Sequence, residues 1–91
     1  MYAVVVRETG EPERIEGSEE LVQTNVLPRT RRAPGIVSAL WMTDGSGGTL
    51  NVLVFENEAA ARAALEPIRS APRPGFMQVE SVEFYRVLAH F

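Results

Sequence analysis

The feature that most constrains this chain is a set of strand-like segments whose apolar residues fall on both parities. Tyr2 to Arg7 is a valine run with no polar alternation. A strand of that kind is covered on both faces and lies centrally in its sheet. In Ile36 to Thr43, one parity carries Ile36, Leu40 and Met42, and the other Val37, Ala39 and Trp41. In Thr49 to Phe55, Leu50, Val52 and Val54 alternate with Asn51, Leu53 and Phe55. With helices on one side and water on the other, a sheet alternates apolar and polar residues. Too much of the second face is apolar here for solvent. The simplest cover is a second copy, so the expectation is a homodimer packed sheet on sheet.

Helical segments separate the strands. Thr9-Gly10-Glu11-Pro12 closes the first strand. Ser18 is the expected N-cap of the first helix, with Glu19 and Glu20 in its first turn and a stripe of Leu21, Val22 and Val26. Pro28 kinks that helix or starts a new turn, and Pro34-Gly35 ends it. Asp44-Gly45-Ser46-Gly47-Gly48 has the composition of a hairpin loop. Asn57 caps a second helix whose stripe is Ala61, Ala64, Leu65 and Ile68, small enough to sit close to a sheet. Ser70 to Gly75 is a loop, and Met77 to Leu88 is the last strand. The order is β-α-β-β-α-β over 91 residues read as one domain. Two right-handed crossovers then give an α+β, ferredoxin-like protomer: a four-stranded antiparallel sheet with both helices on one face.

The residue counts exclude several chemistries. The chain has no cysteine, so there is no disulfide, thiolate nucleophile or thiolate metal site. All nine basic residues are arginine, which excludes a lysine Schiff base and a Gly-Lys-Ser/Thr phosphate loop. The one histidine, His90, cannot build a multi-histidine metal centre, so neither metal nor cofactor is expected. The net charge of −3 argues against a nucleic-acid partner. No apolar run approaches a membrane span, and the first residues lack a basic leader, so the expectation is a cytoplasmic protein without a membrane partner.

Five residues are candidates for ligand binding. Trp41 either stacks on a flat ligand or packs the interior. Asn51, an amide inside an apolar strand, either orients a ligand or bonds at an interface or wet edge. Arg7 and Arg86 either hold an anionic ligand or pair with Glu80 or Glu83 across strands. Tyr85 is a phenol able to donate to a ligand oxygen. If hairpin partners sum to 91, Asn51 faces Leu40 and Trp41 lies on the other side; a slip of one residue reverses this.

Three stretches carry a resemblance: Ala33-Pro34-Gly35-Ile36-Val37-Ser38-Ala39-Leu40-Trp41, Leu50 to Ala63, and the aromatic final strand. Together they resemble the dimeric α/β-barrel superfamily, in particular proteins similar to antibiotic-biosynthesis monooxygenases. The resemblance implies a ferredoxin-like protomer, a dimer whose sheets form a barrel, and in some members a ligand cavity between sheet and helices. It admits a small-ligand-binding protein, a cofactor-independent monooxygenase of a small aromatic or polyketide-like substrate, and a structural dimer. The haem-degrading branch needs an Asn in the first strand and a His on the second helix, and this chain has neither.

Overall fold

The computed structural model describes residues 1–91. Its strands are β1 (Tyr2–Gly10), β2 (Ile36–Thr43), β3 (Gly48–Phe55) and β4 (Met77–Arg86). They form one antiparallel sheet in the order β2-β3-β1-β4, the arrangement of a ferredoxin-like protomer. The valine run of β1 is central, between β3 and β4.

The first helical region is α1 (Pro12–Glu16), α2 (Glu19–Leu21), a π-helical stretch (Val22–Val26) and α3 (Leu27–Thr30). It begins earlier than expected, because Pro12 occupies the first helical turn, where its missing N–H is no loss. Ser18 is not the cap expected of it. Its backbone is helical, and its hydroxyl donates back to the Ile15 carbonyl at 2.6 Å instead of accepting from the following turn. Pro28 accounts for the wide turn before it. Its ring crowds the carbonyl four residues back, and the five-residue π stretch directly precedes Leu27-Pro28.

The second crossover helix, α4 (Glu58–Ser70), follows the expected pattern. Asn57 Oδ1 accepts from the Ala60 N–H at 2.9 Å, and Ala61 is fully buried. Its alanine face lies close against β1, β3 and β4, whereas α2 and α3 lie closest to the π-helical stretch between them. Val4, Val6, Phe55 and Ala61 form the core beneath α4, with Leu65, Ile68 and Phe84 around them. The Phe84 ring stacks on Tyr2 at 5.5 Å and carries the Arg62 guanidinium at 4.5 Å. Arg62 also pairs with Glu58 one turn back, and this hydrogen bond holds the Glu58 carboxyl below its ordinary pKa.

The hairpin register corrects one expectation. Trp41 pairs with Asn51 and Leu40 with Val52, so partners sum to 92, not 91. The loop decides this. Asp44 Oδ1 accepts from the N–H groups of Ser46 and Gly48 at 2.7 and 3.0 Å, and the Asp44 N–H donates to the Gly48 carbonyl. That closes a three-residue turn with positive φ at Gly45 and Gly47. The backbone N–H of Ser46, then that of Gly48, lowers the Asp44 pKa. An odd-numbered turn shifts the pairing by one residue, which turns every side chain of β2 relative to β3.

Candidate functional site

The observed register sorts the sheet into two faces. Toward the helices point Tyr2, Val4, Val6 and Glu8 of β1, Thr49, Asn51, Leu53 and Phe55 of β3, and Trp41 of β2. The open face carries Ala3, Val5 and Arg7 of β1, Leu40 and Met42 of β2, Val52 and Val54 of β3, and Glu83 and Tyr85 of β4. The five candidate residues therefore divide. Trp41 and Asn51 are cross-strand neighbours on the helix side, with Cβ atoms about 5 Å apart by the geometry of such pairs. Arg7 and Tyr85 share the open face. Arg86 stands alone opposite Tyr2, exposed and without an ion pair.

Around Asn51 lies a polar cluster. Its Nδ2 donates to Glu8 Oε1 at 2.8 Å, and Arg73 Nε donates to Glu8 Oε2 at 2.6 Å. Glu8 is only 7% exposed, and Arg73 reaches it from the loop after α4, where its Nη1 also donates to the Ala71 carbonyl. Asn51 thus bonds within its own protomer rather than across an interface. Its Oδ1 accepts from no protein group and reaches solvent, since no buried side-chain oxygen or nitrogen lacks a partner. Trp41 beside it is half-buried. The close contacts of α4 are with β1, β3 and β4, and Trp41 stands on β2, the edge strand next to β3.

Glu8 and Arg73 were not among the expected site residues. Glu8 could have been found from its parity, since it continues the row Tyr2, Val4, Val6 onto the buried side and needs a cationic partner there. Nothing in Ala71-Pro72-Arg73-Pro74 marks Arg73 as that partner.

On the open face, Glu83 gathers three donors. Arg7 Nε lies 2.6 Å away and Ser81 Oγ 2.9 Å, and the Tyr85 hydroxyl donates to the other carboxylate oxygen. These bonds, that from Tyr85 foremost, hold the Glu83 pKa down from 4.5 to about 2. The same bond raises the Tyr85 phenol above its ordinary value of 10.0. A depressed carboxyl pKa means that this cluster's stabilisation is complete above the ordinary value and is lost as pH falls through about 2. The expected result is that Glu83→Gln removes the acid-dependent loss between these limits and returns one of the two tyrosines toward an ordinary titration. Unfolding curves against pH and tyrosinate absorbance test this. An unchanged upper tyrosine pKa in the variant would contradict the arrangement.

Two depressions of about 350 Å³ lie elsewhere. One is polar, between Thr9, Glu11, Phe76 and Gln78 at the far end of β1. The other is apolar, on the open face, between Leu40, Val52, Val54 and the terminal residues His90 and Phe91.

No family model matches the chain, and no curated protein matches it by sequence. Its fold is similar to that of a monooxygenase from the ActVA-Orf6 gene of Streptomyces coelicolor, solved in complex with the ligand nanaomycin D. The TM-score is 0.62 at 20% identity, covering 99% of this chain and 89% of the other. It is also similar to a dimeric ferredoxin-like protein from an uncultured marine organism, with TM-score 0.60 at 12% identity over 100% and 98% of the two chains. At these identities the likeness is one of fold, and the fold is ferredoxin-like. The ferredoxin-like protomer that the sequence resemblance implies is met.

Proposed function

We propose that this protein binds a small, flat aromatic ligand on the helix side of its sheet and works as a homodimer joined through the open faces. The observation that carries the binding reading is the pairing of Trp41 with Asn51. A large aromatic surface and an unpaired amide oxygen stand side by side, within reach of solvent, where the edge strand β2 pairs with β3. The dimer reading rests on the other face. Leu40 is 60% exposed, Tyr85 49% and Met42 41%, while only nine residues of the chain are buried. A second open face is the natural cover for so much apolar surface. The ligand-bound state of the Streptomyces monooxygenase gives a precedent on a similar fold. The cytoplasm is the setting we assign, which suits a cysteine-free chain.

Binding is favoured over catalysis for a specific reason. A cofactor-independent oxygenation needs a group to take a proton from the substrate. The carboxylate nearest Asn51, that of Glu8, has one oxygen on Asn51 and the other on Arg73. No other carboxylate or imidazole joins this cluster.

The test uses 2-naphthol as probe. Trp41 is the only tryptophan, so its indole N–H gives one cross-peak in a ¹⁵N-correlated spectrum. The expected result is a saturable shift of that peak, with affinity lowered about tenfold or more in Asn51→Leu. Shifts confined to Leu40, Val52 and Val54 would place binding on the open face and overturn the reading.

A further inference from the structure

We infer that Glu8 is a positioning residue that decides which atom Asn51 offers to a ligand, so that the strip selects hydrogen-bond donors, such as a phenolic hydroxyl or an N–H. The inference rests on the binding site proposed above and names its ligand chemistry.

The argument follows from what each group can donate. A carboxylate only accepts. Facing Glu8 Oε1 at 2.8 Å, the Asn51 amide must turn its NH₂ toward Glu8. Its other end, Oδ1, is then the atom left free beside Trp41. In water an amide turns over easily and offers either end. Here it cannot, because Glu8 is itself held. Glu8 is buried, and its second oxygen is taken by Arg73 Nε at 2.6 Å. Arg73 only donates and is tied to the Ala71 carbonyl. Every role in the series Ala71, Arg73, Glu8, Asn51 is thus fixed: Arg73 donates to both neighbours, Glu8 accepts from both, and Asn51 donates inward and leaves an unpaired acceptor outward. A ligand hydroxyl completes it. An ether oxygen at the same place sets two acceptors against each other, and neither bond is made.

The chain also predicts an inversion. In Glu8→Gln, Arg73 still only donates, so the Gln carbonyl faces Arg73 and its NH₂ faces Asn51. Asn51 must then turn its Oδ1 inward and present its NH₂ to the ligand. In Glu8→Gln with Arg73→Met, nothing holds the Gln amide and neither orientation is enforced.

The experiment compares 2-naphthol with 2-methoxynaphthalene, which has nearly the same shape but no donor, through the Trp41 indole shift. The unsubstituted protein should prefer 2-naphthol about tenfold. Glu8→Gln should reverse the preference, and the double variant should bring the ratio close to one. A merely structural Glu8 would weaken both compounds together, and an unchanged ratio in Glu8→Gln would overturn the inference. The Asn51 side-chain NH₂ signals, assigned by their loss in Asn51→Asp, give a reading that needs no ligand. They should shift strongly in Glu8→Gln, and an unshifted pair would also overturn the inference. If neither naphthalene binds, the binding proposal fails, and the amide signals still decide whether Glu8 sets the orientation.

Discussion

Arg73→Ala is expected to be among the most destabilising single substitutions in this protein, at about 3 kcal/mol or more. The reason is what it leaves behind. Glu8 is 7% exposed, on the side of β1 that also carries Val4 and Val6, and Arg73 is its only cationic partner. Removing the arginine leaves a buried carboxylate with no cation beside it and only the Asn51 amide as a side-chain partner. A domain of this kind has only about 5–15 kcal/mol of total stability, so the loss is large. Replacing both partners, Glu8→Leu with Arg73→Met, should cost less than the single change, since no unpaired charge remains. Urea unfolding of the three proteins measures both effects. A value for Arg73→Ala within about 0.5 kcal/mol of the unsubstituted protein, as is usual for surface changes, would mean that the pair is effectively solvated.

Leu40→Arg is expected to break the proposed dimer. Leu40 is 60% exposed on the open face, beside Met42 and opposite Val52. In the protomer an arginine there reaches water and leaves the fold intact. Against a second sheet it becomes an unpaired buried charge, which raises the dimer dissociation constant by about 100-fold or more. Leu21→Arg is the control, because Leu21 is 48% exposed on the helical region, away from that face. Sedimentation equilibrium should show a loss of mass for Leu40→Arg and none for Leu21→Arg. Equal behaviour of the two variants would remove the open face as the interface.

Much of the fold was legible in the sequence, because it is written in local patterns. The valine run of β1, the glycine-rich hairpin and the Asn57-capped alanine helix each specify their own element. The first helix was less legible. Pro12 starts it early, and the turn before Pro28 widens, so the capping role assigned to Ser18 fails. The site was only half legible for a different reason. Whether Trp41 and Asn51 meet depends on an odd or even turn, and the side chain of Asp44 settles that through two backbone N–H groups. Composition identifies the loop but does not count its residues. Glu8 and Arg73 lie 65 positions apart, and only the closure of the sheet and the path of the loop after α4 bring them together.

The central claim is that binding and assembly use opposite faces of one sheet, so that each protomer carries a whole site. A native mass spectrum of the protein with saturating 2-naphthol tests it most directly. The account predicts a species at twice 10.0 kDa that carries two probe molecules, one per protomer. A 10.0 kDa monomer, or a dimer that takes up a single molecule between its sheets, would contradict it.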